Sequence, residues 1–127
     1  MSDYWFDHIH LTSPDPIGTA EFYEKMFGAN RVGTGEYPDG RISVQLDLNG
    51  MRILVMHPKP QTAGADVSPV GLHHYGLRTD NLEAAVGELK AQGVKFTQEI
   101  IGLPTGVKYT FFLSPEDVLV ELLERSS

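Results

Sequence analysis

The sequence predicts an α+β fold made of two βαβββ units in tandem, and three observations lead there. The stretch FDHIHLTSPDPIGTAEFYEKMFG, residues 6–28, returns as GLHHYGLRTDNLEAAVGELKAQG, residues 71–93. Each copy has a histidine near the start of an apolar run, an acidic turn, and a helical pattern closed by glycine. After the first copy, Pro38-Asp39-Gly40 and Asn49-Gly50 punctuate alternating apolar runs, and Asn-Gly is the strongest short hairpin signal. Between the copies, HPKPQTAGADVSPV has three prolines and no periodicity, which marks a linker. The expected organisation is one domain over 1–127, with unit one at 4–57, a linker at 58–70 and unit two at 71–125. A duplicated unit implies a site built between the copies.

In the first strand, Phe6, His8 and His10 alternate with Asp7, Ile9 and Leu11, so both histidines share a face. Ser13-Pro14-Asp15-Pro16 stops the strand, because two prolines cannot continue a ladder and Ser or Asp can accept from the first helical amides. A helix from about Ile17 places Ala20, Phe22, Tyr23, Met26 and Phe27 at three- and four-residue spacings as its apolar stripe, with Gly28 as a left-handed cap. Strands are expected over 31–37, 41–48 and 51–57, with Ile42, Val44, Leu46 and Leu48 on one face of the middle one. The second unit is expected as a strand over 72–79, a helix over 81–92 with a Leu82, Val86, Leu89 stripe, and strands over 94–100, 107–113 and 118–124. Ser114-Pro115-Glu116-Asp117 forms the last turn.

The 127 residues suffice for one self-folding domain, and 41% hydrophobic with 21% charged residues is ordinary for a globular protein. The absence of cysteine excludes a disulfide scaffold, a thiolate metal site and a catalytic thiol. No apolar run approaches the roughly 20 residues of a membrane span, and the acidic start MSDYWFDH lacks signal-peptide character, so a cytoplasmic location and no membrane partner are expected. A net charge of −7 with scattered Lys and Arg argues against nucleic acid as a partner.

His8 and His74 hold matching places in the two copies, and Glu121 interrupts the apolar last strand VLVELLE. A carboxylate buried there unpaired would cost several kcal/mol, so it must sit in a solvated cavity or meet a metal, Arg or Lys. Two imidazoles and one carboxylate from separate strands match the facial ligand set of Fe(II) and related divalent ions. His10 shares the face of His8 and is open to three roles: alternative ligand, substrate contact or acid/base group. His73 points opposite to His74 and reads as structural or exposed. His57 beside Pro58 and Glu124 beside Arg125 read as solvated.

Taken together, His8-Ile9-His10-Leu11 leading to Asp15, Phe22-Tyr23 with Gly28, His74 leading to Asp80-Asn81, and Ser114 to Leu122 resemble the vicinal oxygen chelate superfamily. That group includes glyoxalase I, extradiol dioxygenases, fosfomycin-resistance proteins and bleomycin-binding proteins. The resemblance implies a cupped mixed sheet with helices outside, around one divalent ion of the Fe(II), Mn(II), Ni(II) or Zn(II) kind held by His8, His74 and Glu121. The fourth family position, a metal ligand in glyoxalase I and the epimerases, falls on Leu54, or on Met56 in a register two residues later. Leucine offers no donor, and the remaining trio resembles the dioxygenase and fosfomycin-resistance branches. Tyr109 and Phe111, with Phe6, His10 and Leu54, are implied as cup lining, and His10 or Tyr109 as the proton-handling group. An aromatic lining without an Arg and Lys cluster favours an aromatic or carbonyl-bearing small molecule over a phosphonate.

The expected function is a metal-dependent dioxygenase, lyase or isomerase, with the ligand trio tilting slightly to the dioxygenase and the short single pair of units away from it. The alternative is a metal-free drug- or metabolite-binding protein of the bleomycin-resistance kind. The resemblance also implies a homodimer.

Overall fold

The computed structural model describes residues 2–59, 70–115 and 118–126. The linker positions 60–69 and the turn residues Glu116 and Asp117 lie outside the described residues. The elements are β1 (Trp5–Thr12), α1 (Pro16–Phe27), β2 (Asn30–Glu36), β3 (Ile42–Leu48), β4 (Met51–Met56), β5 (Gly71–Arg78), α2 (Leu82–Ala91), β6 (Ile101–Gly102), β7 (Lys108–Ser114) and β8 (Val118–Glu124). Two compact units emerge, one of residues 8–73 and one of residues 74–127 with residues 1–7. Strands run in the order β2-β3-β4-β1 in the first half and β5-β8-β7-β6 in the second. In each half the first and last strands pair in parallel and the remaining pairs are antiparallel, giving the mixed α+β architecture the repeat implied. Among the described residues, no helix is long and apolar enough to cross a membrane.

Local chemistry explains most of the boundaries. Asp15 caps α1 by accepting the Gly18 N–H, and Pro16 occupies the first turn, where no intrahelical N–H is needed. Gly28 ends the helix at φ 75°, donating its N–H back to the Glu24 carbonyl. Asn49 and Gly50 both take positive φ, 50° and 95°, and close the β3–β4 hairpin between the paired residues Leu48 and Met51. Asn81 caps α2 by accepting the Ala84 N–H.

Each helix covers one face of its own strands. Ala20, with Ile17 and Tyr23, packs on Val44, Leu46, Ile53 and Val55, and Leu11 joins from β1. Leu82, Ala85 and Val86, with Leu89, pack on Leu122, Leu77 and Phe112, so the expected α2 stripe is the buried one.

Two expectations are corrected. Phe22 and Met26 do not face the core of α1 and are 51% and 64% exposed, while Phe27, on the side of Ala20 but the last residue of the helix, is 56% exposed. Ala20 defines the buried side, and a residue two positions on lies roughly 200° round the helix, so Phe22 cannot share its face. The strand expected over 94–100 is absent among the described residues, and only the isolated Phe96–Phe112 bridge and the two-residue β6 remain there. Phe96 and Ile100 pack toward the α2 core, while Thr97 N–H donates to the Phe111 carbonyl and Thr110 Oγ1 to the Gln98 carbonyl. Side-chain anchoring and scattered bonds thus replace a continuous ladder.

Candidate functional site

Strand register determines which side chains share a face. In the unit of residues 8–73, His8 is paired with Arg52, Arg52 with Asp47 and Asp47 with Asn30. The next row on that face runs His10, Leu54, Gln45 and Gly33. Directly paired residues project to the same side, so His8, His10 and Leu54 lie opposite the α1 core. His8 is 5% exposed, and the His10 ring lies against His73 with centroids 5.1 Å apart. His73, expected to be structural or exposed, is thus half-buried against a second imidazole.

In the unit containing residues 74–127, Gly76 is paired with Glu121 and Glu121 with Phe111, and the following row is Arg78, Leu123 and Tyr109. His74, two residues before Gly76 on β5, belongs to that face. Its Nε2 lies 2.9 Å from Glu121 Oε1, with both side chains withdrawn from solvent. Phe111 meets the His74 ring edge-on at 5.0 Å and 90°, and Tyr109 meets Phe111 at 5.8 Å. Four sequence-predicted residues, His74, Glu121, Phe111 and Tyr109, are therefore assembled within this unit. Phe6 is stacked instead on Tyr75 at 6.0 Å, and Tyr75 alternates with His74 along β5.

The registers of the two halves correspond, with His10 opposite Leu54 in one and Gly76 opposite Glu121 in the other. Leu54 is thus the counterpart of Glu121 and His10 of Gly76. Met56, the other register considered, pairs with Thr12 and Ser43.

Sequence reasoning missed several residues. Glu124 is not a solvated terminal charge: its Oε1 accepts the Leu82 N–H at 2.8 Å and satisfies the first helical amide of α2. His57 is likewise engaged, with Nδ1 accepting the Ile42 N–H at 2.8 Å. Arg125 grips Asp7 through two hydrogen bonds of 3.0 and 2.8 Å, which together raise the guanidinium pKa above its ordinary value. Arg52 and Asp47 on the His8 face were legible in principle, since Arg52 is in phase with Leu54 along β4.

Imidazole nitrogen and carboxylate oxygen are borderline-to-hard donors suited to divalent ions. Within the unit that contains residues 74–127, His74 and Glu121 supply one donor of each kind, 2.9 Å apart. The His74–Glu121 pair passes that test within one unit, since His74 is buried, Glu121 is only 15% exposed and the two donors are turned toward each other.

The sequence profile of the Glyoxalase/Bleomycin resistance protein/Dioxygenase superfamily matches residues 5–122. The chain belongs to this superfamily. Its sequence is similar to the mitochondrial methylmalonyl-CoA epimerase of Homo sapiens, 30% identical over 130 residues, covering 91% of this chain and 71% of the relative. In fold it is similar to the hypothetical protein BH1468 from Bacillus halodurans, with a TM-score of 0.80 at 20% identity, covering 98% of this chain and 96% of the other. It is also similar to the methylmalonyl-CoA epimerase from Mycobacterium tuberculosis, with a TM-score of 0.76 at 22% identity, covering 96% and 88%. The superfamily match bears out the resemblance read from the sequence, and the two structures bear out the α+β fold.

Proposed function

We propose that this chain is a metal-dependent isomerase that moves a proton at the carbon beside a carbonyl, with methylmalonyl-CoA or a related acyl thioester as substrate. The observation that carries the reading is the partly buried His74–Glu121 pair, set on one sheet face beside Phe111 and Tyr109. In this reading His8, His74 and Glu121 hold one divalent ion. When bound, that ion supplies Lewis acidity that lowers the energy of negative charge on the substrate oxygens.

The remaining work falls to the chain. His74 Nε2 and Glu121 Oε1, 2.9 Å apart, already face one point, and the Phe111 edge restrains the His74 ring. Because Leu54 has neither a proton nor a lone pair to offer, proton handling is assigned to His10, in register with it, and to the Tyr109 hydroxyl. Inversion at carbon requires one group to take a proton and another to return one to the opposite side, and an imidazole and a phenol serve those roles. The ligand trio alone tilts toward a ring-cleaving oxygenase, but the relatives named as epimerases move the isomerase reading ahead of it.

Incubation with methylmalonyl-CoA in D2O, with Mn(II), Co(II), Ni(II) or Zn(II) added in turn, tests this by ¹H NMR. Loss of the substrate α-proton signal is expected with at least one ion, and its retention with every ion sinks the proposal. If the protein also binds an aromatic antibiotic equally well before and after Glu121→Gln, the metal-free binding-protein reading takes its place.

A further inference from the structure

Two arginines of the unit containing residues 74–127 are held in opposite ways. Arg125, just past β8, directs its donors at the Asp7 carboxylate in two hydrogen bonds of 3.0 and 2.8 Å. Arg78, the last residue of β5, lies instead over the Trp5 ring, with its guanidinium carbon 5.0 Å from the ring centroid. Among the described residues, neither a hydrogen bond nor an ion pair engages that guanidinium. A ring face meets the flat side of a guanidinium and leaves the N–H donors around its edge available. Arg78 is nevertheless half-buried, and withdrawing a charge from water without hydrogen bonds is costly. The stack therefore holds a cation ready for an anion from outside the described residues.

Register sets where that anion would lie. Gly76 is paired with Glu121, while Arg78, two residues further along β5, is paired with Leu123, and Leu123 with Tyr109. Alternation gives both rows one face, and Leu123, 2% exposed, floors the second row. The rows are roughly 7 Å apart along the strand. The two carboxyl carbons of a malonyl group are only about 3 Å apart, so malonyl oxygens gathered at Glu121 do not extend to a guanidinium stacked on Trp5. A single guanidinium offers one charge and a planar fork of N–H groups, which matches a carboxylate, whereas a phosphate dianion calls for more positive charge than this row holds. We infer that Arg78 binds a carboxylate on a side arm of the substrate, separate from the oxygens at the metal ligands. The preferred substrate is then an acyl thioester whose reacting carbon bears a carboxylate-ended arm in place of a methyl group. The inference rests on the reading that substrate is received on the Glu121 face.

Trp5 is the one tryptophan of the chain, so its fluorescence reports on the Arg78 stack alone. Glutarate and its neutral isostere glutaramide are titrated into ¹⁵N-labelled protein in EDTA at constant ionic strength, so that the result is independent of metal and catalysis. Glutarate should change the Trp5 emission saturably and shift the signals of Trp5, Arg78 and Leu123, and glutaramide should do neither. Arg78→Gln should abolish the response. Arg78→Lys, which keeps the charge and loses the fork, should weaken glutarate binding about tenfold, the worth of one to two hydrogen bonds, and it decides the matter if Arg78→Gln fails to fold. Equal responses to acid and amide, no response to either, or tighter binding of inorganic phosphate than of glutarate overturns the inference. A second arm measures α-proton exchange by the N-acetylcysteamine thioesters of methylmalonate and of carboxyethylmalonate. A lower KM for the carboxyethyl compound, lost in Arg78→Lys, supports the inference, and equal KM values in the wild type overturn it. Failure of both thioesters to exchange, with the glutarate response intact, removes the isomerase reading and leaves the Arg78 site standing.

Discussion

The two halves of the chain have the same strand register and different chemistry at equivalent points. Leu54 stands where the other half has Glu121, His10 where it has Gly76, and Gln45 where it has Phe111. The difference extends to the helix ends. Glu124, three residues after Glu121, accepts the Leu82 N–H that opens α2. Its counterpart His57 meets a helix that begins with Pro16, which has no N–H, and accepts from Ile42 instead. The pairing geometry of one repeat is therefore compatible with a carboxylate beside an aromatic ring in one half and a leucine between an imidazole and an amide in the other. Which one results is decided by a few side chains projecting from a conserved ladder.

The largest expected effect tests the Leu54–Glu121 contrast. Glu121→Gln keeps shape and removes the charge, and should lower catalysed proton exchange by about 10²-fold or more, the lower end of what acid/base and charge contributions supply. Leu54→Glu should instead tighten divalent-metal binding by calorimetry, and an unchanged affinity would break the equivalence of the two positions.

Next come the two cores. Leu46 and Leu122 are both 0% exposed under their respective helices. Each substitution to Ala should cost about 3 kcal/mol in urea unfolding, and a markedly unequal pair would show that one half carries the stability.

The helix-end contrast is smaller. Glu124→Ala leaves the Leu82 N–H without its acceptor and should cost about 1–2 kcal/mol, while His57→Ala should cost about 1 kcal/mol by the same logic at Ile42. Hydrogen exchange at Leu82 and at Ile42 distinguishes the two sites.

The smallest effect is the Lys108–Glu83 pair. Its hydrogen bond holds the Glu83 pKa below the ordinary carboxylate value. A depressed folded pKa contributes stability at pH above the unfolded value, and that contribution is lost as pH falls through the folded value. Lys108→Met should therefore lower Tm slightly at pH 7 and not at all in strong acid, and high salt should erase the difference at pH 7.

Much of the architecture was legible because its causes are local. Asn49-Gly50 specifies a hairpin, Asp15-Pro16 and Asn81 start helices, Gly28 ends one, and alternation sets the faces of β3, β4 and β8. The recurrence of that order told of duplication, and Glu121 stood out as a charge within an apolar strand. The pairing of His74 with Glu121, 47 positions apart, is consistent with that warning but required the β5–β8 register to become a distance.

Other features depended on neighbours distant in sequence. The aromatic residues of α1 have helical spacing on either side of Ala20, and only packing on Val44 and Val55 selected which side is buried. Phe96 and Ile100 belong to a core rather than a ladder because α2 and β7 supply better partners there. Glu124 and His57 were read as solvated because an orphan helical N–H or a strand-end amide within reach is invisible in one dimension. The sequence by itself determined the elements, their repeat and the residue types able to bind a metal. Tertiary structure decided which polar groups meet and which apolar faces are covered, because register and burial arise from contacts between segments far apart along the chain.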